Sequence, residues 1–406
     1  MFKNRSFNYL WIGQSIADIA DVFYIIATIS VLYNLSQSAT LTAMVPLVIT
    51  SAMFISGVIS PLLIDKYIIN KLLFVTQLMK TGLLIVLWCF SYYISFDSIF
   101  LLLVIVFLIG LLDGCANPLK NSLVPILVSE EQLVKANSLV SALYQTIKLG
   151  SWPIGSILLV LIGYKLVILT VCVLYLFSSI LIGLIENVKK VEQPLTISKG
   201  TQLKEGWVLI WNNKRLRTLI SMDIMETIAS VVWIAAILYI YVEEALGVDK
   251  EWWGYINGSF FLGLFVGSLF SLKKDKLLER YSYNFILLGT SLSAVLTLLF
   301  GNISIPILAL ILSGMIGLFS QPKDVSQQTI LQKSTTTDLL PKVFSAQMTL
   351  VTSIFGVTSL VFGIIVDKVG IHWVFNISGA LLLVVTLLVI KSRDFLVLSK
   401  VKQLQQ

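Results

Sequence analysis

The chain has 406 residues, 57% hydrophobic and only 13% charged, whereas a soluble domain carries about 45–50% apolar and about 25% charged residues. That balance excludes a soluble globular fold and leaves a polytopic membrane protein. The net charge of +7 matters less than where the basic residues fall, and no nucleic-acid partner is expected.

Several classes drop out at once. Met1 to Arg5 leads into a long apolar segment with no small-residue cleavage site, so no secretory signal is expected. Cys89, Cys115 and Cys172 all lie in apolar runs without metal-ligand spacing. They read as buried small hydrophobes, with no disulfide. A single histidine, His372, cannot build a metal site alone. There is no Gly-x-x-x-x-Gly-Lys-Ser/Thr loop and no soluble domain to house one, so ATP is not the expected energy source. No nucleophile–base constellation is present, so the chain is not expected to be an enzyme or to carry a cofactor.

Twelve runs are long enough to cross a bilayer core of about 30 Å. They fall at 7–35, 41–64, 72–94, 98–123, 137–162, 164–186, 217–243, 253–272, 282–300, 303–330, 342–366 and 371–391. Most connections are short, which makes successive helices antiparallel neighbours. The exception is 187–216, polar and basic. The expected organisation is therefore a first six-helix bundle over 1–186, a linker over 187–216, a second bundle over 217–391 and a short tail over 392–406. With the N-terminus in the cytoplasm, 22 of the 29 basic residues lie on the cytoplasmic side. Three lie outside (Lys165, Lys250, Lys368) and four within spans (Lys80, Lys120, Lys148, Lys323). The positive-inside rule then puts both termini in the cytoplasm.

Within the linker, Leu203 to Leu216 sets Trp207, Leu209, Ile210 and Trp211 beside Lys204, Lys214, Arg215 and Arg217. That pattern suits a helix lying on the anionic inner leaflet. A plain tether between the bundles accounts for it equally, and the two readings are compatible.

The halves repeat. Asp18 and Asp21 in the first segment recur as Asp223 and Glu226, 205 positions later. Each pair is three residues apart, which stacks both carboxylates on one helical face. Ala136-Asn137-Ser138 through Gly163 matches Val343-Phe344-Ser345 through Gly370 at an offset of 207, and Pro118 matches Pro322 at 204. Parallel six-helix repeats are a signature of secondary transporters, with the site at the repeat interface near mid-bilayer.

Further stretches carry a family pattern. They are Gly13-Gln14 followed by Asp21, Asp65-Lys66, Asn117-Pro118-Leu119-Lys120, Leu123-Val124-Pro125, Ala136-Asn137-Ser138, and Gly150-Ser151-Trp152-Pro153-Ile154-Gly155. Together they resemble the major facilitator superfamily, and within it the macrolide, drug and siderophore exporters. There are departures. Ala20 stands where a glycine precedes the first-helix Asp, Pro61 replaces the glycine before Asp65, the later basic cluster is reduced to Lys71, and Trp152 replaces a glycine. The resemblance implies an all-α fold of twelve transmembrane helices in two pseudo-symmetric bundles, in a bacterial cytoplasmic membrane. It also implies that segments one, four, seven and ten line a central cavity.

Those four segments hold all the mid-membrane acids: Asp18 and Asp21, Asp113, Asp223 and Glu226, and Asp324. An ionisable group at membrane depth is a functional candidate by default. In a poorly solvated cavity such carboxylates can bind and release protons near neutral pH. Asp21, Asp223 and Glu226 are the candidates for proton coupling. Asp18, Asp113, Lys148, Tyr24 and Trp233 are the candidates for substrate binding, alongside the nearby aromatics Phe23 and Tyr144. Asp65, Lys66, Lys120 and Asp324 are the candidates for gating. The resemblance makes Asp65 part of a latch on the cytoplasmic gate. The competing account of each acid is a structural ion pair with Lys148, Lys80 or Lys323. Lys148 either neutralises Asp113 or Asp21 or binds an anionic substrate group. Lys80 reads as a structural partner, and Lys120 lies close enough to the interface to snorkel. Gly150, Pro153 and Gly155 loosen the fifth segment, while Gly263 and Gly267 let two helices approach closely.

The expected activity is proton-coupled antiport of a small amphiphilic compound by a monomer working by alternating access. Six intramembrane acids against four lysines favour a cationic or zwitterionic substrate. Two alternatives stay open: export of a siderophore-like polycarboxylate or a lysolipid, with Lys148 and Lys120 as binding groups, and a non-transporting sensor or scaffold.

Overall fold

The structure is a computed structural model that describes residues 4–36, 39–186, 188, 199–249 and 251–397. Lys250, most of the linker stretch 187–198 and the end of the tail lie outside the described residues. Fourteen α-helices account for nearly all of the described chain. They are α1 (Arg5–Ser36), α2 (Ala39–Lys66), α3 (Ile69–Phe90), α4 (Ile99–Leu127), α5 (Leu133–Gly183), α6 (Lys199–Asn212), α7 (Lys214–Ser230), α8 (Ala235–Ile240), α9 (Glu251–Lys273), α10 (Asp275–Arg280), α11 (Ser282–Gly301), α12 (Pro306–Gln332), α13 (Leu340–Val369) and α14 (Ile371–Lys391). No strand is present among the described residues.

Ten of the helical stretches are long and apolar enough to cross a membrane, and a bent pair, Lys214–Trp233 with Ile237–Ala245, adds one more. One of the ten, Glu130–Gly183, has 54 residues, long enough for two crossings. Its α-helix reverses at Gly163 (φ 73°, ψ 163°), a backbone region essentially reserved for glycine. Counting its arms separately brings the spans to the twelve expected. Gly370, between α13 and α14, has nearly the same backbone (φ 103°, ψ 162°). The 207-residue repeat thus extends to the turn itself.

The seventh predicted run is not one continuous helix. α7 gives way to a 3₁₀ turn at Val231–Trp233, an extended Ile234 (ψ 150°), the short α8 and a π-helical turn at Tyr241–Ala245. The Val-Val-Trp-Ile run supplies β-branched side chains that crowd a helical backbone.

The chain forms two compact units. Unit 1 comprises Met1–Ser129, Thr146–Trp207 and Thr337–Thr349, and unit 2 comprises Glu130–Gln145, Val208–Thr336 and Leu350–Gln406. Each sequence half thus contributes a short segment to the unit dominated by the other.

Unit 1 is cored by Ala17, Ala20 and Phe23 of α1, Leu84 and Leu87 of α3, Leu102 and Val106 of α4, and Val167, Val171 and Tyr175 of the second arm of α5. Unit 2 is cored by Val231, Val232 and Tyr241 with Phe300, Leu312, Val374 and Phe375. Where α9 and α12 meet, glycines on both helices let the backbones approach closely. On α9 and α12, a Cβ added at Gly263 would run into the carbonyl of Gly314, and one at Gly317 into that of Phe260. Large apolar side chains such as Phe100, Val160 and Leu161 stand exposed, as a lipid-facing surface requires.

Candidate functional site

In unit 1 the site is built on α1, α3, α4 and the second arm of α5. α1 presents Asp18 and Asp21 one turn apart. α3 offers a polar stripe of Gln77, Lys80 and Thr81. Its flanks are tied to α5, where Gln77 donates to Ser178 (2.8 Å) and Thr81 meets Ser179 (3.0 Å). Ser178 in turn donates to the carbonyl of Gly13 on α1 (2.7 Å). These bonds fix the register of three helices around Lys80.

Lys80 Nζ bridges two carboxylates, Asp21 at 2.6 Å and Asp113 of α4 at 2.5 Å. The lysine is 2% exposed, whereas Asp21 keeps 31% and Asp113 27%. Tyr175 donates its hydroxyl to the same oxygen of Asp21. The Lys80 ammonium also lies 4.7 Å from the centre of the Tyr175 ring, within cation–π range. Two carboxylates therefore share one buried cation. Beside it, Lys120 lies 3.9 Å from Asp18, a loose pair, and Lys148 is within electrostatic reach of Asp18. Tyr24 is buried with its hydroxyl unpaired and feels the charges of Asp113 and Asp21. Phe23, next to it, packs against Gly155, where an added Cβ would come within 2.8 Å of the ring.

Unit 2 holds a second cluster of the same composition. Lys323 of α12 lies 2.8 Å from Glu226 of α7 and 3.1 Å from its neighbour Asp324. Gln327, a turn further on, donates to Glu226 at 3.3 Å. Again one lysine serves two carboxylates. Asp223 is half-buried one turn before Glu226 on α7, and its backbone carbonyl accepts from Thr227 (2.6 Å). Trp233 sits in an aromatic cluster, with ring centres 4.8 Å from Phe300, 5.9 Å from Phe260 and 6.0 Å from Phe375. Tyr144, on the first arm of α5, is exposed.

Of the gating candidates, Asp65 meets a lysine that the sequence did not single out, whereas Lys120 lies by Asp18 and Asp324 pairs with Lys323. Asp65, at the end of α2, lies 2.5 Å from Lys342 at the start of α13. Lys342 is fully buried and also pairs with Glu205 of α6. Ser60 and Ser345 meet at 2.7 Å on the same two helices. Lys66 turns instead to the Tyr67 ring at 5.3 Å. In unit 2, Lys333 pairs with Glu279 (3.3 Å) and Glu130 (3.5 Å). Asn137 donates to Gln332 (2.6 Å) and Thr329 (3.0 Å), and Gln321 donates to Ser141 (2.5 Å).

Tyr175, Lys342, Glu205, Lys333, Glu130 and Glu279 were not among the sequence candidates. The one available signal was the repeat, which puts Lys342 opposite Lys135 beside the Ala136-Asn137-Ser138 motif. Nothing in the sequence distinguished either lysine from the other basic loop residues. Among the described residues no group of three or more His, Cys, Asp or Glu is placed to hold a metal ion.

Comparisons with known proteins agree with the fold. The model of the Major Facilitator Superfamily matches residues 10–356. The Bacillus subtilis (strain 168) protein named as the uncharacterized MFS-type transporter YfmI is 29% identical over 392 residues, covering 94% of this chain and 95% of the relative. A second B. subtilis protein, YjbB, described in the same words, is 25% identical over 399 residues, covering 97% and 96%. Among solved structures, a bacterial homologue of the iron transporter ferroportin in an outward-facing state superposes with a TM-score of 0.78 at 13% identity, covering 96% of this chain and 99% of that one. The E. coli fucose:proton symporter FucP superposes with a TM-score of 0.75 at 16% identity, covering 95% and 98%. At such identities the structural likeness speaks for the fold alone. With the family model spanning most of a twelve-span helical chain, this protein belongs to the Major Facilitator Superfamily, as a multi-pass transporter of a bacterial cell membrane.

Proposed function

We propose that the chain is a secondary active exporter, exchanging protons for a small amphiphilic, cationic or zwitterionic compound by alternating access. The observation that carries this reading is the cluster of Asp21, Lys80 and Asp113. Its lysine is sealed from solvent while both carboxylates keep access to it. The carboxylate that Lys80 pairs less fully can be neutralised by a proton or by a substrate cation. A low-dielectric site disfavours carrying both at once. Mutual exclusion at one carboxylate is the elementary requirement of an antiporter. The second cluster, Glu226 with Lys323 and Asp324, has the same balance.

In this reading Asp21, Asp223 and Glu226 carry the protons. Asp18, Asp113, Lys148, Tyr24 and Trp233 contact substrate. Asp65, Lys66, Lys120 and Asp324 serve the gates. The bundles correspond to 1–186 and 217–391, both termini are cytoplasmic, and the protein works as a monomer. Exposed Trp207 and Trp211 on α6 support a linker resting on the inner leaflet.

The test is proton-driven efflux of a fluorescent cation from vesicles carrying the full chain. Coupled efflux is expected from the parent and its loss from an Asp21→Asn, Asp223→Asn double variant. Normal efflux by that variant rules these residues out as the coupling groups. Loss of transport in Lys148→Ala, with the acidic variants active, would point to an anionic substrate instead.

A further inference from the structure

Lys342 is fully buried between two carboxylates that reach it from different elements. Asp65 comes from the end of α2 and is itself 7% exposed; Glu205 comes from α6 and keeps 29% exposure. The second oxygen of Asp65 is buried without a partner. The triad therefore carries one negative charge too many, and its two carboxylates repel each other. A buried arrangement of this kind is poised to lose one arm.

The alternating-access reading, in which α2 parts from α13, makes Glu205 the arm that stays, and its element is well fastened. A Cβ on Gly206 would fall on the carbonyl of Lys342, so the backbone of α6 lies directly on the start of α13. Past the end of α6, Asn213 donates its side-chain amide to the carbonyl of Ser334 (3.1 Å). The linker is thus fastened at two points to the stretch of chain that runs into Lys342. Asp65 is held there by its ion pair, by the contact of Ser60 on Ser345, and by the close approach of Gly57 to Thr349 and Met348.

We infer that Glu205 is a stand-by counter-ion for Lys342, which keeps the buried ammonium paired when Asp65 withdraws and so makes the withdrawal possible. The inference rests on the alternating-access reading, in which α2 and α13 must part. Stranding a buried lysine with no partner is strongly unfavourable. A glutamate that travels with the lysine removes that penalty from the open state. Asp65 returns to water on leaving and bears little cost. The linker is on this view a working part of the gate, and Glu205 a positioning residue that acts through Lys342.

Hydrogen exchange of the full chain in lipid nanodiscs, with no substrate and no proton gradient, tests this. Amides in the 62–66 and 340–349 segments are expected to exchange faster when Asp65 and Lys342 part, because these helix ends then lose the contacts that protect them. Glu205→Gln removes the charge with little change of shape. It is expected to slow exchange in both segments by about tenfold, because the open state loses its ion pair. Glu205→Asp keeps the charge and is expected to exchange like the parent. A simple strut gives the opposite sign, with faster exchange in Glu205→Gln. Faster or unchanged exchange overturns the inference, as does equal slowing in Glu205→Asp. The measurement involves no transport, so failed antiport in vesicles leaves its outcome standing.

Discussion

Lys80 Nζ lies 2.6 Å from Asp21, and of the two only the aspartate is open to solvent. Removing the lysine leaves Asp21 and Asp113, each partly exposed, side by side without their shared cation. Lys80→Met is expected to destabilise, by less than the about 3–5 kcal/mol of deleting one side of a fully buried pair. Adding Asp113→Asn is expected to restore part of that loss. Thermal unfolding in detergent, followed by size-exclusion chromatography, measures both. A Lys80→Met protein as stable as its parent would mean that the bridge contributes nothing.

Trp233 separates packing from binding. Its stacking on Phe260, tilted contact with Phe300 and T-shaped contact with Phe375 mean that Trp233→Ala opens a cavity and is expected to cost about 3–5 kcal/mol. Trp233→Phe keeps much of the contact and should retain most of the stability. If transport is lost in Trp233→Phe while the unfolding temperature holds, the indole itself touches substrate. If both hold, its contribution is to packing.

Gly163 and Gly370 occupy equivalent turns of the two halves, both with positive φ and nearly equal ψ. Neither would clash with an added Cβ, since nothing lies within 4 Å of one. The cost of Gly→Ala there is therefore one of backbone strain alone, about 1–3 kcal/mol at each site. The two losses should add, because the sites lie in separate units. A fully stable double variant would show that the chain reverses at these points without needing positive φ.

Gly263 tests close packing on a single helix. A side chain there meets the backbone of Gly314, whereas Gly258, on the same helix, has open space around its Cβ position. Gly263→Val is expected to destabilise by about 1–3 kcal/mol through overpacking. Gly258→Ala is expected to be neutral or to gain up to about 1 kcal/mol from helix propensity. The contrast in expressed, monodisperse protein checks it. Equal behaviour of the two variants would place α9 further from α12.

How much of this could be read beforehand follows from the scale of each signal. A span needs some twenty apolar residues in a row, and no local accident imitates that twelve times. The reversal at Gly163 was visible as the boundary between two predicted runs. The close approach at Gly263 was visible as a small-residue spacing. The break after Ser230 was not, because a β-branched run is tolerated in many apolar helices and only its surroundings decided against continuity.

For the site, the sequence by itself determined which acids are costly. Asp18, Asp21, Asp113, Asp223 and Glu226 stand out because a carboxylate in an apolar run needs a reason to be there. It could not determine which lysine answers which acid. Lys80 lies 59 positions from Asp21, and Lys342 lies 277 from Asp65 and 137 from Glu205. Pairing over such separations depends on helix rotation and register, which packing sets. Only the tertiary structure could show that each cluster sets one lysine between two carboxylates. Charge at depth can be read residue by residue, whereas its neutralisation is a property of how the helices meet.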